Sequence, residues 1–402
     1  MDSQGRPSAA TSRALPAADP GALREAVKDH YAHRLDQGSC CGPSGCGTQG
    51  GEATHSALIS IDVPSFGCGD VTTPALLRPG EHVLDLGSGA GFDVFTAARA
   101  VGPEGTVVGV DMTPAMLQRA RAAATELGLD NVGFVEGIIE SLPVPDASFD
   151  VVISNCVVNL SADVPRVLRE AERALKPDGR VRISDTFRMG APPEQLDRDA
   201  WCACEGGAHD SAVFVRQAKA AGFTNVALDP APAGLPEGSV YGAVLSATKP
   251  NVVPLERPEL ATDLLRDAGL PLDGWNEPGL ARWAVLEHGR PVGVVALEVH
   301  GRHGLLRSLA VTPGARGRGL ATALLVHARR QAERLRLDTV AGLTTTIPAA
   351  MLRWGLREVS RAELPRELDA SPELQGACPQ EARAFLLEAR EGMFELPAWV
   401  AG

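Results

Sequence analysis

Apolar and polar residues along residues 82–188 follow the periods of strands and helices in alternation. The apolar run HVLDL comes directly before the glycine-rich segment GSGAG, and the helical pattern FDVFTAARAV follows it. Later come the apolar runs TVVGVD, NVGFVEG, FDVVISNCVV and RVRISD, with a helical pattern in DVPRVLREAERAL and a turn signal at KPDGR. Strands that alternate with helices form open, largely parallel sheets, so the pattern predicts a doubly wound α/β domain.

The pattern changes near residue 250. A strand-like run, VVPLE, and a helical stretch, PELATDLLRDAGL, precede RWAVLEHGRPVGVVALEVHG, which has the alternation of two strands joined by a His-Gly-Arg turn. The strand LLRSLAV then runs into an arginine- and glycine-rich loop and a long amphipathic helix. We therefore predict a flexible leader over residues 1–20, a first domain over 21–249 and a second, mixed α/β domain over 251–402.

The length, net charge and apolar content of the chain limit the kinds of molecule that it is expected to bind. A chain of 402 residues exceeds what one core organises, which agrees with two domains. The formal net charge of −12 disfavours nucleic acid and anionic membranes as partners. The chain has no secretory signal pattern and no run of about 18 apolar residues. We expect a soluble, cytoplasmic protein that acts on a small molecule.

The glycine-rich segment of the first domain has the features of a nucleoside-binding loop. Its glycines let backbone N–H groups approach a ligand, and the following helix adds positive potential. Asp111 ends the next strand, where its carboxylate can accept hydrogen bonds from both ribose hydroxyls. Asp85 would repel a pyrophosphate but suits the ammonium and sulfonium groups of S-adenosylmethionine. The predicted residues for this cofactor are Asp85, Gly87, Gly89, Gly91, Asp111, Met112, Ile138, Glu140 and Asn155.

Cysteine is concentrated in the first half of the chain, and most of these thiols lie among glycines and polar residues. The chain has no pair of CxxC motifs, which makes a structural zinc site the weaker alternative. The polar, glycine-rich surroundings of the thiols argue against unreactive cysteines in a core. Trivalent arsenic takes three sulfurs, and its lone pair can attack a sulfonium methyl without a general base. Cys156, between apolar neighbours, is interpreted as a buried small hydrophobe. The candidate arsenic ligands are Cys40, Cys41, Cys46, Cys68, Cys202 and Cys204.

Residues 21–249 resemble the arsenite S-adenosylmethionine methyltransferases. The resemblance rests on GSCCGPSGCG, GCGD, DLGSGAGFD, CACEGGA and ISNCVVNLSADVPRVLREAERALKPDGRVRISD. It implies that Cys68 and Cys204 bind arsenic in catalysis, that arsenite is methylated stepwise, and that thioredoxin or glutathione restores the site. Many members have a further cysteine near the end of the domain, where GSVYGAVLSATKP has none. The third ligand is therefore left open between Cys202, a leader cysteine and a small thiol.

The loop of the second domain predicts a pyrophosphate site, because two arginines accompany backbone N–H groups at a helix start. It resembles the acetyl-coenzyme A loop of GNAT acetyltransferases, Arg-x-x-Gly-x-Gly or Ala, at Arg316, Gly319 and Ala321. The stretch from AGLTTT to GACP looks like a GNAT branch associated with arsenic resistance. The resemblance implies acetyl-coenzyme A binding by Val311, Arg316, Gly317, Arg318, Gly319, Leu320 and Ala321.

The second domain has no tyrosine, the residue with which many GNAT enzymes protonate the leaving thiolate. Glu298, His300 and Cys378 are the alternative candidates for proton transfer, and the acetyl acceptor is left open. Two other functions are kept for the whole chain. One is a carbon or oxygen methyltransferase acting on another small molecule, and the other is a metalloid-binding protein without turnover.

Overall fold

The computed structural model describes residues 20–34, 71–72, 76–190, 201 and 207–388. The chain divides into two compact units. The first extends to Val215 and includes Ala227–Ala247, and the second comprises Arg216–Val226 and the chain from Thr248 onward. Among the described helices, none combines the length and the apolar character that a membrane crossing requires.

The first unit contains most of a sheet whose strand order is β3-β2-β1-β4-β5-β8-β7, with β6 paired to β5; the residues of β7 up to Val226 and Thr248 of β8 belong to the second unit. Strands β1 to β6 pair in parallel, and the order reverses between β1 and β4. Ligands bind at such switch points in doubly wound sheets. The elements are α1 Pro20–Arg34, β1 His82–Leu86, α2 Phe92–Val101, β2 Thr106–Asp111, α3 Pro114–Glu126, β3 Val132–Glu136, β4 Phe149–Asn155, α4 Val164–Ala174, β5 Leu175–Arg188, β6 His209–Asp210, α5 Ser211–Ala220, β7 Thr224–Leu228 and β8 Val240–Thr248.

Helix α4 shows how the sequence sets these elements. The Asp163 side chain caps it by accepting the N–H of Arg166, and a proline lies in its first turn. The helix buries Val167, Leu168 and Ala171 on one face. The predicted KPDGR turn lies within the residue range of β5 and interrupts its pairing with β4. Asp178 takes a positive φ of 62° there, and pairing with β4 jumps from Leu175 to Arg180.

The second unit has a seven-stranded sheet of order β14-β15-β13-β12-β11-β10-β9. Neighbouring strands in this order are antiparallel except for β12 and β13, which are parallel. That parallel pairing ends at Leu306, although β12 continues to Val311, so the two strands part at their carboxyl ends. The elements are β9 Val252–Pro254, α6 Thr262–Asp267, β10 Ala281–Glu287, β11 Arg290–His300, β12 His303–Val311, α7 Leu320–Arg334, β13 Thr339–Thr344, α8 Pro348–Arg353, β14 Arg357–Val359 and β15 Arg383–Glu388.

Candidate active site

A cleft lies at the carboxyl ends of β1, β2, β3 and β4 in the first unit. It contains about 760 Å³ of empty space, counting the part open to solvent. Its described lining residues are Arg24, Val27, Tyr31, Gly87, Gly89, Asp111, Met112, Thr113, Met116, Gly137, Ile138, Ile139, Glu140, Asn155, Cys156, Val157, Leu160 and Ser161.

The glycine loop between β1 and α2 is packed closely against the chain after β4. Gly87 has a φ of 70°, and a Cβ placed on it would lie 2.4 Å from Cγ2 of Val157. A side chain at this position is therefore excluded by both backbone conformation and space. This explains why the loop needs glycine where it lines the cleft.

Asp111 joins the glycine loop to the start of α3. Its Oδ2 accepts the N–H of Gly89 at 2.9 Å, and its Oδ1 accepts the N–H of Thr113 at 2.8 Å. Burial raises the pKa of Asp111, while these backbone hydrogen bonds lower it. The Met112 N–H and the Thr113 side chain are further hydrogen-bond partners of this carboxylate, which lines the cleft at the end of β2.

A second carboxyl group lies beneath the loop. Asp85 is 2% exposed and is not among the described lining residues of the cleft. Burial raises its pKa well above the ordinary value, and the charges of Asp93 and Asp111 raise it further. Asn155, at the end of β4, donates from Nδ2 to Oδ2 of Asp93 at 3.2 Å. A cationic ligand in the cleft would favour the ionised carboxyl groups and would oppose this upward shift of the Asp85 pKa.

The loop from Cys156 to Ser161, between β4 and α4, forms the opposite wall. At one end Ser161 donates from Oγ to Oε1 of buried Glu140 at 2.6 Å. At the other end Cys156 is 4% exposed, has a φ of 54°, and packs in an apolar cluster with Val27 and Trp201. Its burial agrees with the sequence interpretation, but the structure also places it in the cleft wall. Cys156 is in a disulfide bond.

The structure brings seven of the nine predicted cofactor residues together in the cleft. They are Gly87, Gly89, Asp111, Met112, Ile138, Glu140 and Asn155, whereas Asp85 and Gly91 lie outside its described lining. Gly91 instead begins α2, with a φ of 95°. The predicted arsenic ligands Cys40, Cys41, Cys46, Cys68, Cys202 and Cys204 lie outside the described residues.

Sequence reasoning missed the contribution of α1 to the cleft. Arg24, Val27 and Tyr31 follow the spacing of one helix face and line the cleft together. The sequence shows this spacing, but it does not indicate which site this face of α1 would contact. Arg24 is the one cation among the described lining residues.

The predicted phosphate loop of the second unit leads into α7. Gly317 and Gly319 have φ values of 79° and 88°, and Gly319 is the residue before the helix. The first N–H groups of a helix have no intrahelical acceptor, so they can bind an anion. Arg318 forms an ion pair with Oε1 of Glu287 at 2.6 Å. Leu320 is 3% exposed and packs in the core, so its side chain anchors the helix.

A buried polar cluster lies on β11 and β12 of the same unit. Arg307 pairs with Glu298, and its Nη2 lies 3.1 Å from Oε1 of Glu373. His300 contacts Glu298 through Nε2 at 3.2 Å. Burial raises the pKa of Glu298, but hydrogen bonds with Ser371, Arg307 and His300 outweigh it and leave the pKa lowered. Glu298 is thus held ionised and is a poor proton donor.

The pKa values of Glu373 and Cys378 are raised, whereas that of Glu298 is lowered. Burial raises the pKa of Glu373, and burial with the charge of Glu373 raises the pKa of the Cys378 thiol to about 11. Glu373 is therefore the carboxyl group of this cluster that most readily keeps a proton, and sequence reasoning did not identify it. Its sequence context, SPELQGACP, carries no signal for this role.

Comparisons with known families agree with the two units. Residues 77–222 match the family described as a methyltransferase domain, and residues 250–351 match the acetyltransferase (GNAT) family. The doubly wound methyltransferase fold and the GNAT-like second domain predicted from sequence are both confirmed. The GNAT match covers the strands and the phosphate loop from β9 to α8.

Individual relatives of the first domain are arsenite methyltransferases. The chain is 41% identical over 234 residues to one from Halobacterium salinarum, covering 53% of this chain and 60% of the relative. It is 33% identical over 210 residues to one from Homo sapiens, covering 46% and 56% respectively. The chain therefore spans somewhat more than half the length of these relatives.

A solved structure gives the same match. An arsenic(III) S-adenosylmethionine methyltransferase from Chlamydomonas reinhardtii is 30% identical, with 58% of this chain and 74% of that chain covered and a TM-score of 0.39. The family matches and the sequence relatives show a methyltransferase domain related to the arsenite methyltransferases, followed by a domain of the GNAT acetyltransferase family.

Proposed function

We propose that the chain transfers methyl groups from S-adenosylmethionine to thiolate-bound As(III), giving methylated arsenicals. The observation that carries this proposal is the position of Cys156, which lines the same cleft as Asp111 and the glycine loop. A soft sulfur ligand beside a nucleoside site is what transfer to a thiophilic acceptor requires.

Several features support S-adenosylmethionine as the cofactor. Asp111 lines the cleft where the ribose would lie, and Ile138 and Glu140 offer an apolar and a polar wall for the adenine. The charges of Asp93 and Asp111 raise the pKa of Asp85, and an ammonium or a sulfonium would relieve this repulsion whereas a pyrophosphate would add to it.

The sulfur ligands are proposed from sequence and chain connectivity. Cys68 and Cys204 are assigned the catalytic role, with Cys156 added as a ligand, and Cys40, Cys41, Cys46 and Cys202 remain further candidates. Trp201 donates from Nε1 to the carbonyl of Leu160 at 3.3 Å, so the segment that holds Cys202 and Cys204 starts at the Cys156 loop. Cys204 is three residues beyond Trp201, a reach of at most about 11 Å for the backbone.

The proposed reaction balances without a general base. The arsenic lone pair forms the As–C bond while the C–S bond of the sulfonium breaks, and that electron pair leaves neutral S-adenosylhomocysteine. Arsenic then has no lone pair, so a second transfer requires two electrons. Two thiolates supply them by forming a disulfide. The protein contributes alignment of the methyl group with the arsenic.

This chemistry gives the thiol reductant its role as co-substrate. Thioredoxin or glutathione would return the disulfide to thiolates by exchange. Cys156 is in a disulfide bond, so the proposal requires this reduction before its sulfur can bind arsenic.

For the second domain we propose acetyl-coenzyme A binding by the loop from Arg316 to Ala321, with Val311 at the end of the preceding strand. The left-handed glycines and the start of α7 provide N–H donors for the pyrophosphate. Acetyl transfer to an amine follows from the family, and Glu373 is the proposed source of a proton for the leaving thiolate. The acceptor is proposed as an amine without further definition.

The test is mass spectrometry of arsenic species after the purified full chain is incubated with arsenite, S-adenosylmethionine and glutathione. Methylarsenicals from the wild type and none from Cys204→Ser would support the proposal. Methylation of another acceptor with no methylarsenical would favour a different small-molecule methyltransferase. Arsenite binding with no consumption of the cofactor would favour sequestration.

A further inference from the structure

We propose that Asp185 is a positioning residue for methyl transfer, whose carboxylate fixes the loop from Cys156 to Ser161. This inference rests on the proposed methylation of arsenite. The loop forms one wall of the cofactor cleft. Trp201 and Gly207, which flank residues 202–206 in the sequence, both contact it.

Asp185 lies on β5 and is 1% exposed. Its Oδ2 accepts the N–H of Asn159 at 3.1 Å, and its Oδ1 accepts the N–H of Thr186 at 2.8 Å. The N–H of Val158 is a further donor to the carboxylate. Two of these donors, Val158 and Asn159, begin the short 3₁₀-helix Val158–Leu160. The first N–H groups of a helix have no acceptor within it, so the carboxylate supplies one.

Two other hydrogen bonds hold the loop to the same strand. The N–H of Cys156 donates to the carbonyl of Ser184 at 2.8 Å. The side chain of Asn159 donates from Nδ2 to Oγ1 of Thr186 at 2.6 Å. With Asp185 between them, the loop is attached to three consecutive residues of β5. Its backbone therefore has a defined position relative to the sheet.

Contacts of the loop extend from the cofactor cleft to Trp201 and Gly207. On the cofactor side, Ser161 is bonded to Glu140. On the other side, Trp201 donates to the carbonyl of Leu160, and a Cβ on Gly207 would lie 2.0 Å from the carbonyl oxygen of Asn159. Such close approach leaves no space between Gly207 and the loop. A displacement of the loop would thus shift the cleft wall together with Trp201 and Gly207.

The environment of Asp185 is unusual for a residue that serves stability alone. Among the described residues it has no ion-pair partner, and burial raises its pKa to about 7. An unpaired buried charge is costly, so its presence beside a cleft agrees with a functional role. The titratable groups on elements packed against β5 are Asp150 on β4, Arg166, Arg169, Glu170, Glu172 and Arg173 on α4, His209 and Asp210 on β6, and Tyr241 on β8.

The experiment compares wild type, Asp185→Asn and Asp163→Asn in the full chain at pH 8. Asp163 is the matched control, because it caps α4 at the end of the same loop and asparagine caps a helix equally well. The readouts are kcat for arsenite methylation, Kd for S-adenosylhomocysteine, and hydrogen exchange of the Val158 and Asn159 amides. Asp185→Asn should lower kcat at least tenfold, change Kd less than threefold and speed exchange at least tenfold. Asp163→Asn should change each less than twofold.

Two results would overturn the inference. One is wild-type turnover or wild-type exchange in Asp185→Asn. The other is a parallel fall of kcat, cofactor affinity and the free energy of unfolding, which is the behaviour of a structural residue. A wild-type protein that methylates no arsenite would contradict the proposed function and with it this role for Asp185. Arsenite methylation by the wild type therefore distinguishes a failure of the proposed function from a failure of the role proposed for Asp185.

Discussion

Asp111 and Gly89, which both line the cleft, are joined by a hydrogen bond of 2.9 Å from the glycine N–H to the carboxylate Oδ2. The residue at the end of β2 therefore shapes the glycine loop in addition to facing the cleft. The loop and the predicted ribose acceptor form one unit, and a change in either should affect cofactor binding.

Asp111→Asn should weaken S-adenosylhomocysteine binding by about 10- to 100-fold. The amide loses the charge-assisted hydrogen bonds to the ribose and to the Gly89 N–H, and hydrogen bonds to charged groups contribute about 1.5–3 kcal/mol. Titration calorimetry measures the change. Exposed Asp130→Asn is the control and should bind as the wild type does. Equal affinity of Asp111→Asn and the wild type would remove the ribose assignment.

Gly87→Ala should abolish measurable cofactor binding and lower stability. A left-handed backbone costs a residue with a Cβ about 1–2 kcal/mol, and overpacking costs about 1–3 kcal/mol more. Because the clash is with Val157, the double variant Gly87→Ala, Val157→Ala should recover part of the stability. Urea unfolding of the two variants and of Val157→Ala alone measures this coupling. Strictly additive effects of the two changes would contradict the packing of the loop.

Glu287→Gln should strengthen coenzyme A binding about two- to fivefold. The ion pair with Arg318 competes with the pyrophosphate, and a surface pair of this kind contributes about 0.2–1 kcal/mol. Glu259→Gln is the control, since it removes an exposed ion pair with Arg257 in the same unit. Arg318→Ala should weaken binding, and both effects should shrink at high salt. Weaker coenzyme A binding by Glu287→Gln would show that the pair supports the loop.

Wild-type stability relative to Asp185→Asn should fall as the pH rises from about 4 to about 7. Burial raises the folded-state pKa of Asp185 from 3.8 to about 7, so folding disfavours the ionised form over this window. The slope should approach about 1.4 kcal/mol per pH unit and flatten above pH 7. Chemical unfolding of both proteins from pH 5 to 8 measures it. A difference that stays constant with pH would exclude Asp185 as the titrating group.

Much of the fold could be predicted from the sequence, because the spacing of apolar residues and the positions of glycines determine strands, helices and turns locally. The HVLDL run, the glycine turn and the helix after it were predicted at the positions where β1 and α2 occur. The KPDGR turn was predicted as well, and it interrupts the pairing of β5 with β4. The sequence did not indicate that Leu175, before the turn, would also pair with β4.

The candidate site was predicted only where single side chains carry the chemistry. Asp111 could be predicted because it ends a strand beside the loop, whereas Asp185 received no role, because its hydrogen bonds depend on a loop 26 residues away. Cys156 was interpreted as core from its apolar neighbours, and the sequence did not show that the core at this point is also the cleft wall. The roles of Asp185 and Cys156 thus depend on tertiary contacts, which the sequence pattern does not show.

The most direct test of the account follows the methyl group itself. The full chain is incubated with arsenite, glutathione and S-adenosylmethionine labelled with a trideuterated methyl group, and the arsenic species are resolved by mass spectrometry. The account predicts methylarsenicals that carry the label, and their absence in Cys204→Ser under conditions where that variant still binds S-adenosylhomocysteine. Labelled cofactor that remains intact in the wild type, or label on a molecule without arsenic, would contradict it.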